Sequence, residues 1–98
     1  MTDKLTPQEH AEHIDPLLTQ GWDLAEDGAA ITKTFTFKNF VDAFGWMTRV
    51  AIHAEKLNHH PEWSNVYKTV EVALTTHDAD GLTALDAKLA RKMDELAG

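Results

Sequence analysis

The chain has no cysteine, only three prolines and five glycines, and a single tyrosine. Without cysteine there is no disulfide framework and no thiolate chemistry, which fits a reducing compartment. Positive charge is also scarce: nine Lys and Arg stand against sixteen Asp and Glu, a formal charge of -7. Binding to a phosphate backbone calls for a basic face, so nucleic acid is not an expected ligand, whereas a protein partner stays open. No apolar run approaches the roughly 20 residues that cross a bilayer, and no basic-then-apolar leader opens the sequence. The expected setting is cytoplasmic, with no membrane attachment.

What is present suffices for a core. Hydrophobic residues make up 43% of the 98 positions, and one domain over 1–98 is expected. So small a domain often gains stability by self-association. Residues 1–5 are expected to be loose. Thr6-Pro7-Gln8-Glu9 has the form of a helix start, with Thr6 as cap, Pro7 at the first helical position and Glu9 reaching back. Pro16 predicts a kink or break near Asp15. His10 and His13, three apart, belong to a solvated polar face rather than to a metal site.

Trp22–Glu26 and Ile31–Phe37 are predicted strands, joined through the turn signal Asp27-Gly28. Alternation places Ile31, Phe35 and Phe37 on one face and Thr32, Thr34 and Thr36 on the other. Lys33 falls on the apolar side, as expected near a sheet edge where its amine can snorkel out. Asn39 caps a long helix with Asp42 in its first turn. Its apolar stripe is Phe40, Ala43, Phe44, Met47, Val50, Ala51, Ala54 and Leu57, with His53 in solvent and Gly45 packed close to the sheet. The helix ends near Asn58, before Pro61. Strands then follow at Trp63–Tyr67 and Val70–Thr75, with Val66, Val70, Val72 and Leu74 as core contacts. Thr83 caps a last helix with Asp86 three residues on, and Leu85, Leu89, Met93 and Leu96 form its stripe.

The order α-β-β-α-β-β-α, with short hairpins and one-sided helices, predicts an α+β fold. It is a two-layer sandwich, a four-stranded antiparallel sheet with three helices on one face.

Chemistry concentrates between Glu55 and Asp86. His59 and His60 follow the long helix and His77 follows a strand, so a fold that joins these ends gathers three imidazoles with Glu55 and Asp78. Imidazole takes up and returns protons near neutral pH. Adjacent histidines rarely point both rings at one ion and no i, i+4 ligand pair accompanies them, so no metal is expected.

The run Glu55-Lys56-Leu57-Asn58-His59-His60-Pro61-Glu62-Trp63, then Asn65-Val66-Tyr67, Leu74-Thr75-Thr76-His77-Asp78 and Gly81-Leu82-Thr83, resembles pterin-4a-carbinolamine dehydratase. Phe40 to Ala51 also fits that family's middle helix, so the resemblance covers nearly the whole chain. It implies an enzyme, a hydro-lyase of tetrahydrobiopterin recycling. The reaction removes water from a 4a-hydroxytetrahydropterin, giving the quinonoid dihydropterin, with no cofactor. By position it implies His59, His60 and His77 as the catalytic groups, with His60 and His77 acting jointly on the leaving hydroxyl. Asn58, Thr75, Thr76 and Asp78 match positions that hold the pterin, Glu55 is placed to orient an imidazole, and Pro61 and Trp63 shape the cleft wall, with plain core an equal reading for Trp63. Many relatives carry Asp where this chain has Asn58, which predicts a weaker base at His59. The resemblance also implies a homodimer joined through the sheet, or a homotetramer. It leaves open an alternative role as a protein-binding dimerisation cofactor or transcriptional coactivator.

Overall fold

The structure, a computed structural model, describes residues 3–98. The chain folds as helices α1 (Pro7–His13) and α2 (Asp15–Leu18), strands β1 (Asp23–Leu24) and β2 (Ile31–Thr36), and helix α3 (Phe40–Leu57). Strands β3 (Glu62–Val66) and β4 (Thr69–Leu74) and helix α4 (Ala84–Ala97) complete it. All strand pairs are antiparallel, in the order β1-β2-β4-β3. The α+β expectation holds. The first helix is broken at Ile14, where Pro16 cannot supply an N–H to a continuing helix.

Caps set the helix starts. Thr6 and Glu9 exchange bonds in a capping box at α1, and the Thr6 backbone N–H holds the Glu9 carboxyl below its usual range. Asn39 accepts from the Asp42 N–H, and Thr83 and Asp86 form the box of α4. Of the start expected to be loose, Met1 and Thr2 lie outside the described residues. Leu5, however, donates its N–H to Leu82.

Alternation along β2 and β4 buries one sheet face under the helices. Ile31 lies opposite Leu74, Lys33 opposite Val72 and Phe35 opposite Val70. Trp46 of α3 is at the centre of the core, with its ring centroid 4.5 Å from that of Phe35. The other face, carrying Thr34, Ser64 and Glu71, is open.

Several sequence expectations are corrected. The stripe of α3 is Ala43, Trp46, Val50 and Ala54, whereas Phe40 and Phe44 are about half exposed and Ala51 is exposed. The apolar arc of this helix is wider than the neighbours that cover it, because α4 flanks it on one side only. Gly45 does not meet the sheet: a Cβ there would touch only Arg49. His53 is half-buried beside α4 rather than in solvent. Val66, at the end of edge strand β3, points to the open face and is 75% exposed. The first hairpin is shorter in strand and longer in loop than expected, with Asp27 bonded to the Ala29 N–H and Gly28 at φ +73.

Lys33 lies on β2 just past Ile31 and Thr32, the two residues that β1 pairs, so it borders an open stretch of edge and the edge expectation holds. Its amine donates to Asp94 of α4 and to the Gln20 carbonyl, each at 2.7 Å, and stands over the Phe35 ring. Trp22 Nε1 donates to the other Asp94 oxygen. An interior cation is tolerated because its donors are matched.

Candidate active site

The end of α3 is set by backbone geometry. Asn58 adopts the left-handed conformation (φ 51, ψ 44), which Asn accepts more readily than most residues. The N–H groups of Asn58 and His59 turn back to the last helical carbonyls, that of His59 to Ala54 at 3.0 Å. The chain therefore reverses sharply. His59 goes inward to a buried position and His60 stays exposed.

After β4, Thr76 and Gly81 form a backbone bridge that closes a short loop. A 3₁₀ turn, His77–Ala79, fills it, and Asp80 at φ 57 brings the chain back. His77 and Asp78 are thus held out at the tip of a loop pinned at its base. Thr75 is held from the other side, its hydroxyl donating to the Ala29 carbonyl at 2.6 Å.

Beneath the loop lies a buried polar network. Asp86 is fully buried, with Oδ1 2.5 Å from His59 Nε2. Its Oδ2 accepts from the Thr76 hydroxyl at 2.8 Å and from the Thr83 N–H at 2.9 Å. Since Thr76 gives its only proton to Asp86, the Thr83 hydroxyl donates to Thr76 across 2.8 Å. A carboxylate only accepts, so His59 carries a proton on Nε2. The other histidines repeat the pattern. His60 Nε2 meets Glu55 at 2.6 Å and His77 Nε2 meets Glu62 at 2.5 Å. All three rings are thus held through Nε2, and among the described residues none of the three has a hydrogen-bond partner on Nδ1.

Asn58, His59, His60, Thr75, Thr76, His77 and Asp78 line one cleft of about 270 Å³. The fold thus brings together most of the predicted site, and Glu55 reaches it through His60. A larger hollow of about 480 Å³ lies on the open sheet face and holds no histidine. Pro61, expected on the cleft wall, is not among its lining residues, and of the two readings of Trp63 the structure takes the core one. Strand alternation turns Trp63 to the helix side, where its ring centroid is 6.1 Å from that of Trp46. Thr76 supports Asp86 from a buried position. His59 does have a carboxylate partner, Asp86 of α4, beside the uncharged Asn58. Asp86 and Glu62 were missed by sequence reasoning. Asp86 already had a sufficient local role as a cap, and Glu62 lay inside the motif but had no visible partner. Among the described residues, no group of three or more His, Asp or Glu side chains is gathered as a metal ion would require.

Comparison with known proteins bears on the family and the fold. The family model described as pterin 4 alpha carbinolamine dehydratase matches residues 3–96. A Roseobacter denitrificans protein, provisionally assigned as pterin-4-alpha-carbinolamine dehydratase, is 66% identical over 98 residues, covering all of both chains. One from Ruegeria pomeroyi with the same provisional assignment is 60% identical, over 98% of this chain and 99% of its own. A crystal structure from Brucella melitensis, described as a transcriptional coactivator/pterin dehydratase, superposes with a TM-score of 0.89. It is 48% identical and covers 98% of this chain and all of its own.

Proposed function

The chain belongs to the pterin 4 alpha carbinolamine dehydratase family, and we propose that it dehydrates a 4a-hydroxytetrahydropterin to the quinonoid dihydropterin. The observation that carries this is the cleft in which His59, His60 and His77 meet, each ring held by a carboxylate through Nε2.

The reaction needs proton traffic and little else. The bond from the ring carbon to its hydroxyl breaks, and the electron pair of the adjacent ring nitrogen forms the C=N bond. The hydroxyl takes a proton and leaves as water, and a base removes the proton on that nitrogen. The substrate's own nitrogen drives the expulsion, so no cofactor is invoked. His60 and His77 stand together at the cleft mouth, and whichever of them carries a proton on Nδ1 as imidazolium delivers that one proton to the hydroxyl. His59, fixed by Asp86, is suited to receive one at Nδ1, since the buried carboxylate stabilises the imidazolium that forms. Asn58 and Asp78 flank the rings and supply polar contacts for the pterin edge.

The test is direct. The 4a-hydroxypterin is generated in situ and its decay followed by ultraviolet absorbance with and without the protein. A marked acceleration that survives exhaustive chelation is expected; no acceleration refutes the reading.

A protein-binding role is the alternative. It is favoured by the uncovered apolar flank of α3, where Phe40, Val41, Phe44 and Ile52 are each 46% exposed or more. The same flank and the unpaired edge of β3 support self-association. The two roles are compatible, because this flank is separate from the cleft.

A further inference from the structure

We propose that the groove between α3 and α4 is a second binding site, for a small molecule bearing a phosphoryl group. The proposal does not rest on the reaction assigned above.

The groove holds about 370 Å³, within the range of small-ligand sites. In a chain of formal charge -7 with nine Lys and Arg, it collects four of them: Lys56 from α3, and Lys88, Arg91 and Lys92 from α4. Lys92 is paired with Glu95 at 3.2 Å. Among the described residues, Lys56, Lys88 and Arg91 have no carboxylate within ion-pair distance.

Local forces do not account for this gathering. A cation is favoured in the last turn of a helix, and Lys56 sits there on α3. The last turn of α4 carries no basic residue, and Lys88 lies in its first half, where the dipole gives no reason for a cation. Lys88 and Lys92 are also four apart on one helix, a like-charge spacing that weakens it. A bound anion removes this penalty.

The arrangement suits one compact head group rather than an extended acidic chain. Lys88 and Arg91 lie on adjacent turns of α4, within about 5 Å along the axis, and Lys56 faces them from α3. Arg91 offers the planar fork that grips two oxygens of a phosphoryl group, and the lysines add point charge. Glu95 closes one end to negative charge, which places the head group toward Lys88. Leu57, the half-buried His53 ring and the lysine stems give an apolar wall for the rest of the molecule.

The experiment is an NMR titration of the isotope-labelled full chain with inorganic pyrophosphate at fixed ionic strength. Saturable shifts are expected at residues 53–57 and 88–95. The double variant Lys88→Gln with Arg91→Gln should lower affinity by about tenfold or more, since each charge-assisted bond contributes on that order. Lys56→Gln, tested alone, should lower it by a smaller factor. His77→Ala should bind like the parent. Both Gln variants change exposed positions, and unchanged shifts elsewhere in their spectra verify the fold. Shifts that rise without saturating, saturable shifts centred on residues 58–60 and 75–78, or undiminished affinity in the double variant each overturn the proposal.

Discussion

Asp86 Oδ1 lies 2.5 Å from His59 Nε2, and this bond joins the turn after α3 to the first turn of α4. One carboxylate thereby caps a helix, closes a hydroxyl pair and fixes the proton of an imidazole. Its loss should act on both folding and chemistry.

His59→Ala leaves the buried Asp86 oxygen without its donor. Breaking a buried pair in this way costs about 3 kcal/mol or more, and removal of a positioned base costs on the order of a hundredfold in rate. Asp86→Asn keeps the shape but sets an amide against donors. It should lower kcat by a similar factor with little change in KM, together with the melting temperature. Rate and melting curves of the two variants check this. A His59→Ala protein as stable and as active as the parent would show that the bond has neither role.

His60→Ala and His77→Ala should separate the two effects. Both rings are exposed and contribute little packing, so stability should change by no more than about 1 kcal/mol. Dehydration should nevertheless fall on the order of a hundredfold for each. Lys68→Ala, at the β3–β4 turn, is the control and should leave rate and melting unchanged. Near-normal rates in both histidine variants would remove them from the mechanism while leaving the fold intact.

Lys33 and Asp94 form a partly buried ion pair, with side chains 19% and 23% exposed. Lys33→Ala removes a partner from Asp94 and a cation from the Phe35 ring. Partial exposure moderates the loss expected for a fully buried pair, so about 2 kcal/mol is expected. Chemical denaturation of Lys33→Ala, Asp94→Ala and the double variant should show a clear coupling energy, whereas additive effects would mean that the two side chains act independently. The rate at the distant histidine cleft should hold once folding is controlled.

Self-association follows from what the single chain leaves uncovered. The β3 edge is unpaired, and Val66 and the α3 flank expose apolar area. Sedimentation at micromolar concentration should show a species of at least twice 11.0 kDa. A clean monomer would count against an interface through the sheet.

Much of the architecture was written locally. Thr6, Asn39 and Thr83 cap the helices as their side-chain chemistry requires, and period-two alternation selected the buried faces of β2 and β4. The histidines of the site could be named because they stand in a short motif, at a helix end and a strand end that any fold joining them would bring together. Glu55, five residues before His60, was legible as a partner for an imidazole, but tertiary structure alone decided which carboxylates serve His59 and His77. Asp86 is 27 residues from His59 and Glu62 is 15 from His77, and no periodicity relates such positions. It decided likewise that Lys33, which alternation already set on the core face, finds Asp94 of α4 and the Gln20 carbonyl as partners. Caps and strand faces depend on neighbours a few residues away. Ion-pair partners depend on how whole elements pack, and that is fixed only when the core closes.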